Sequence, residues 1–247
     1  MPSAPLNRAR VETSIAIAKE VFRAFQVQLP GYANWTTSDW DRAGPEYNEV
    51  RDCMLGWDVT DFGSKDFENI GRTLFTLRNG NLHDSRYPKT YAEKLILDPE
   101  GQRAPAHFHR TKREDIINRG GGNILVQLTR VTDDDQPAKG RLSVQVDGCQ
   151  RSINSGETVR LRPGESLCIP ARTIHQFWGE EGTGMQINGI GYTVSGEVSS
   201  VCDDLKDNFF FGDLTRFPVI LEDAPRKYYL CNEYPAAASS SAGAKAV

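Results

Sequence analysis

From about residue 67 onward the sequence predicts an all-β sandwich or barrel, with one helix and an irregular extension added in front. Three observations carry this reading. Short β-rich runs recur between turn residues from Thr73 to Val194. A helical period of apolar residues is confined to the N-terminus. No run approaches the roughly 18 consecutive apolar residues of a membrane-spanning helix.

Residues 8–28 carry the helical period. Ile15, Ala18, Phe22, Phe25 and Leu29 fall along one face of a 3.6-residue helix, and Pro30-Gly31 is the expected stop. Residues 31–66 are aromatic-rich and irregular, with Trp35, Trp40, Tyr47 and Trp57, and read as a segment wrapped on the core or on a subunit boundary. Strands are expected at 73–78, closed by Asn79-Gly80, and at 91–97, closed by Asp98-Pro99-Glu100-Gly101. Further strands are expected at 123–131, 142–146, 158–161, 166–169, 175–178 and 185–194. Such short, regularly spaced strands favour a sandwich or barrel. The organisation is thus a helix and wrapping segment (1–66), a β-barrel with a C-terminal extension (67–235), and a low-complexity, disordered tail (236–247).

The composition is that of an ordinary globular chain: 247 residues, 25% charged and 38% hydrophobic. The formal charge of −4 offers no basic footprint for nucleic acid or anionic lipid, so neither partner is expected. Five cysteines, at 53, 149, 168, 202 and 231, form no CxxC pair and read as free thiols of a reducing compartment. Charged residues interrupt the first 25 positions, which argues against a secretory signal. A cytoplasmic location is expected.

The chemistry is concentrated around four histidines, of which only His83 stands apart. His107 and His109, two residues apart, point to the same side of a strand but about 200° apart on a helix. Glu114 follows after a short turn, on the expected return strand, and a Gly120-Gly121-Gly122 run comes next. A second group, Gly164, Pro170, Arg172 and His175, places another imidazole near the start of a later strand. His107, His109, Glu114 and His175 together make a mixed nitrogen–oxygen donor set. It suits a first-row divalent ion (Mn, Fe, Co, Ni or Zn) with positions left open to substrate.

These two groups resemble the paired motifs of the cupin superfamily, H-x-H-x(3,4)-E-x6-G and G-x5-P-x-G-x2-H. The first matches throughout, with Gly121 closing it. The second departs once, where Arg172 replaces glycine, a change that could put a cation near the pocket. A narrower resemblance, to the D-lyxose isomerase family, rests on Lys89, Tyr91, Glu93, Lys94 and the string from Pro105 to Gly122. It extends to Gly196–Ser199, Asp203–Asn208 and Cys231–Tyr234, and runs from the first helix to about residue 234. It implies a cupin (jelly-roll-like) barrel, a homodimer, and a metal-dependent aldose–ketose isomerase acting on D-lyxose, with D-mannose a further substrate. It also favours Mn²⁺ among the ions above.

Aldose–ketose isomerisation moves a proton between C1 and C2 and needs a base, a way to hold the developing enediolate, and a grip on the sugar. Glu197 is the candidate base; the resemblance implies that position, against the plainer reading of an exposed loop carboxylate. Lys112 could polarise the carbonyl or shuttle a proton, or be a solvated turn lysine. Asp204 and Asp207 could accept sugar hydroxyls, or could be solvated or helix-capping acids. Asp115, on a strand, would point away from Glu114. Two rivals share the ligand set: an Fe(II) cupin dioxygenase and a non-catalytic sugar-binding cupin.

Overall fold

The computed structural model describes residues 4–238. The disordered tail expected at 236–247 lies, from residue 239 on, outside the described residues.

Helix α1 (Arg8–Ala24) begins where the Asn7 side chain accepts the Arg10 amide. Its buried stripe, Val11, Ile15, Ala18 and Phe22, lies over Trp57 and Phe75. The stop comes earlier than Pro30. Gln26 turns left-handed at φ 59°, and the Val27 amide returns to the Phe22 carbonyl. The wrapping segment is less irregular than its sequence suggests. It holds short helices α2 (Thr37–Arg42) and α3 (Asn48–Asp52), gathered on Trp40 with Trp35, Tyr47 and Tyr234.

Among the described residues fifteen strands follow. They are β1 (Gly56–Thr60), β2 (Arg72–Arg78), β3 (Tyr91–Pro99), β4 (His107–His109), β5 (Glu114–Gly120) and β6 (Ile124–Val131). Next come β7 (Pro137–Ala138), β8 (Arg141–Val146), β9 (Cys149–Asn154), β10 (Glu157–Leu161), β11 (Ser166–Ile169) and β12 (Thr173–Gly179). The last are β13 (Met185–Ile187), β14 (Ile190–Ser200) and β15 (Asn208–Phe210). Strand β1 falls inside the stretch expected to wrap the core. It is buried along its whole length, so it lacks the alternation that marks a half-exposed strand. The run expected at 185–194 is a hairpin: Asn188 and Gly189 both take positive φ, as a tight two-residue turn demands.

The strands form two antiparallel sheets. The larger has nine strands in the order β1-β2-β3-β14-β5-β11-β8-β9, with β13 beside β14; the smaller has six, β10-β6-β12-β4-β15 with β7 beside β6. Facing one another, they make the expected jelly-roll-like barrel. One part of the interior is apolar, filled by Ile116, Ile124, Val126, Leu128, Val144 and Leu167, each no more than 2% exposed. Full burial of each such side chain contributes about 1.5–3 kcal/mol. The other part is lined with histidines and charges, and the apolar packing holds its walls in place.

The C-terminal extension folds back over α1. Arg8, fully buried, donates to both carboxylate oxygens of Glu222 and of Glu233 at 2.6–3.2 Å. This forked contact ties the two ends of the described chain together.

Candidate active site

The site is built from facing positions of the two sheets. In the small sheet, β4 and β12 pair so that His107 stands opposite His175, with His109 two residues along on the same side. In the large sheet, β14 pairs Glu197 with Lys94 of β3 on one side and with Ile116 of β5 on the other. Glu114 opens β5, opposite Ser199. Alternation along each strand therefore brings Lys94, Glu114 and Glu197 to the inner face. The pocket they line also contains Lys112, Asp204 and Arg216.

The ligating nitrogens of His107, His109 and His175 lie within 4.8 Å of one another. Nδ1 of His107 donates to the Pro105 carbonyl and Nδ1 of His175 to the Thr173 carbonyl, each at 2.9 Å. A carbonyl can only accept, so these bonds fix the tautomer and turn an unprotonated Nε2 toward the pocket. Glu114 Oε1 is 2.8 Å from His175 Nε2, and Oε2 is 3.3 Å from His109 Nε2. Yet Glu114 Oε1 and His175 Nε2 are both buried without a hydrogen-bond partner, as is His109 Nδ1. Lone pairs that crowd a common space without sharing a proton fit a divalent cation.

The protonation states agree with that fit. Burial, with His175 and His109 beside it, holds His107 well below the ordinary imidazole range; burial and Lys112 lower His109. Burial alone would raise Glu114, but Lys112 and the imidazoles hold it well below the usual carboxylate range. Near neutral pH His107 and His109 are thus neutral nitrogens and Glu114 a carboxylate, the forms that bind metal.

Lys112 sits between the two carboxylates, with Nζ 2.7 Å from Glu114 Oε2 and 2.8 Å from Glu197 Oε1. It is buried, and burial alone would lower its pKa; the Cys202 sulfur and the two carboxylates raise it well above the usual lysine value. Glu197 is likewise displaced below its ordinary value: burial opposes its charge, but Lys112 and Lys94 outweigh it. It is no loop residue. It stands within β14, 6% exposed, and accepts Ser199 Oγ at 3.0 Å and Cys202 Sγ at 3.4 Å, both on Oε1.

Asp204 lines the pocket as expected, 3.6 Å from Lys94 Nζ. Asp207 does not. Its carboxylate accepts the Thr111 amide and hydroxyl and the Lys112 amide at 2.8–2.9 Å, so it secures the turn between β4 and β5 and stands outside the lining. The sequence offered Asp207 as a sugar ligand or as a capping acid; directly before β15, its carboxylate makes the contacts of a capping acid, on a turn remote in the chain. Arg172 also departs from expectation. It takes the left-handed φ of 57° that glycine usually supplies, at a cost of about 1 kcal/mol. Its guanidinium turns away to Asp135 and the Thr132 carbonyl. Gly121 keeps its motif role, because a Cβ there would lie 2.4 Å from the Tyr192 carbonyl at a φ of 102°.

Sequence reasoning gave Lys94 and Arg216 no role in the site. Lys94 carried a signal: a lysine set directly against the apolar run Leu95-Ile96-Leu97 of β3. Arg216 lies outside any strand and carried none. Together with the expected residues they complete a chain of alternating charge. It runs Glu114, Lys112, Glu197, Lys94, Asp204, Arg216, Asp58.

A jelly-roll barrel holding three imidazoles and a carboxylate beside a lysine-bridged second carboxylate is a cupin-like barrel with a candidate metal site. The sequence profile of the D-lyxose isomerase family matches residues 6–234, and the chain belongs to that family. It is 42% identical over 230 residues to the D-lyxose/D-mannose isomerase of Escherichia coli O157:H7, covering 93% of this chain and 98% of that one. It is 46% identical over 214 residues to the D-lyxose/D-mannose isomerase of Serratia proteamaculans, covering 86% and 91%. In fold it is similar to the L-ribose isomerase of Cellulomonas parahominis (TM-score 0.58, 15% identity, 90% of this chain and 99% of that chain). The chain is therefore a sugar isomerase.

Proposed function

We propose that this enzyme interconverts D-lyxose and D-xylulose, and D-mannose and D-fructose, by proton transfer through an enediol. The observation that carries the proposal is Glu197, an anionic carboxylate beside the imidazole–Glu114 cluster and bridged to it by Lys112. A divalent ion held by His107, His109, Glu114 and His175, which we assign as Mn²⁺ although Zn²⁺, Co²⁺, Ni²⁺ or Fe²⁺ suits the same donors, would act as a Lewis acid on the sugar's carbonyl and adjacent hydroxyl.

Glu197 removes the proton from C2 of the aldose and returns it to C1. Its described donors all meet Oε1, which holds the carboxylate still and keeps Oε2 for the carbon-bound proton. Because its pKa is held down, the base is ionised at neutral pH without help. The Lys112 ammonium offsets the negative charge that grows on the sugar oxygens and relays the hydroxyl proton from O2 to O1, while Glu197 moves the carbon-bound one. Asp204, an acceptor at the far side of Lys94, takes a sugar hydroxyl. A wall of alternating charges suits a polyol better than the apolar substrates of an oxygenase. We also assign a homodimer and a cytoplasmic location; light scattering tests the first. Among the described residues no helix is long and apolar enough to cross a membrane.

The test is a panel of aldopentoses and aldohexoses with Mn²⁺, scored for ketose. D-Lyxose and D-mannose should be the best substrates, and the reaction in D₂O should place deuterium on the product carbon. Oxygen uptake without ketose would favour the dioxygenase reading, and sugar binding without turnover the storage reading.

A further inference from the structure

The alternating charges end at a guanidinium with one arm unused. Arg216 lies in the irregular stretch after β15, held there as its carbonyl accepts Thr60 Oγ1 at 3.0 Å and the Thr215 amide donates to the Phe62 carbonyl. Its side chain is 10% exposed and lines the pocket. Nη2 is paired with the buried carboxylate of Asp58, and Nε stands 3.9 Å from Asp204 Oδ1. Nη1 is buried and has no hydrogen-bond partner. A cationic N–H left orphaned in a site already anchored by a dedicated carboxylate calls for an acceptor supplied from outside the chain.

The place of Arg216 says which acceptor. The reacting carbons belong at the imidazole end, within reach of Glu197. Lys94 comes next, 3.7 Å from Glu197 Oε1, then Asp204, then Arg216. An open-chain sugar lying along this wall, C1 and C2 at the cluster, sends its terminal carbon toward the guanidinium. Nη1 can donate to the terminal hydroxyl while Asp204 accepts from it, so the hydroxyl meets both a donor and an acceptor.

We propose that Arg216, seated on Asp58, reads the terminal hydroxyl of the open-chain sugar and so sets the enzyme's preference for a fully hydroxylated chain. Arg216 is a specificity-determining residue remote from the reacting carbons. The proposal rests on the isomerase reading above.

The test compares D-lyxose with 5-deoxy-D-lyxose, in Mn²⁺-loaded wild type, Arg216→Lys and Arg216→Gln. Lysine keeps a cation on Asp58 but has no second arm, so it remains informative where glutamine fails to fold. Wild type should prefer D-lyxose by roughly 10- to 100-fold in kcat/KM, the range of a hydrogen bond to a charged group. In either variant the preference should shrink to within about threefold, carried by a rise in KM for D-lyxose, while turnover of the deoxy sugar changes little. A merely structural arginine would lower both sugars alike, and that result in an active enzyme overturns the assignment of Arg216 alone. A wild type indifferent to the missing hydroxyl overturns it too. A wild type that forms ketose from no aldose overturns the isomerase reading, and this proposal with it.

Discussion

The two sheets bring different chemistry to one pocket. The small sheet contributes imidazoles, His107 and His109 from β4 and His175 from β12; Nδ1 of His107 and of His175 is tied to a backbone carbonyl. The large sheet contributes charge: Lys94 from β3, Glu114 from β5 and Glu197 from β14. The small sheet thus presents lone pairs, while the large sheet presents fixed charges with a definite sign order. The difference separates two tasks, holding a cation and moving a proton, which substitutions should be able to take apart.

The largest effect belongs to the small sheet. His175→Ala, or removal of metal by a chelator, should lower turnover by about 10³–10⁵, the loss of Lewis-acid stabilisation worth several kcal/mol. Bound metal, measured by atomic emission, should fall in parallel, and Mn²⁺ should restore activity only to the chelated wild type. Full activity in a sample shown to be free of metal would end the division of labour at once.

Next comes the large sheet. Glu197→Gln should cut kcat by roughly 10²–10⁴, as loss of a general base does, yet keep its metal. Glutamine preserves the shape and the acceptor to Lys112 but cannot take a proton. Unchanged turnover would remove Glu197 from the chemistry; lost metal would mean that the two sheets do not act separately.

The joint between the sheets is the β4–β5 turn. Asp207→Ala removes three acceptor contacts, on the Thr111 amide and hydroxyl and the Lys112 amide. We expect a loss of about 2–3 kcal/mol in urea stability and a fall in kcat of roughly tenfold, with KM little changed, as Lys112 loses its seat. A raised KM with intact kcat would instead return Asp207 to the role of sugar ligand.

How much of this was legible beforehand follows from what each residue's neighbours are. The HxH pair, Glu114 and His175 could be read because spacing on a strand fixes direction, and the paired motifs carry that spacing. Lys94 was quoted in the family resemblance, but its place opposite Glu197 is a fact of strand register, which depends on long-range pairing. Strand β1 was missed because it is buried on both faces and shows no period of two. The Asn188-Gly189 turn was a readable hairpin signal that the apolar run around it masked. Arg216 had no periodicity to betray it, lying in coil more than 150 residues from its partner Asp58.

The smallest effect probes the charged wall away from both the metal donors and the base. Asp204 is held below its ordinary carboxylate value: burial would raise it, but Lys94 and Arg216 lower it further. Its folded form therefore gives up its proton more readily than its unfolded form. Its contribution to stability is complete above the unfolded value and is lost as pH falls through the folded one. Asp204→Asn lacks that contribution at every pH. Urea midpoints measured from pH 6 to pH 3 should show wild type ahead at pH 6, with the gap closing toward pH 3. A gap of constant width would mean that Asp204 is held by its Asn208 contacts rather than by the cations beside it, and the alternating charge would then lose its claim to organise the far end of the pocket.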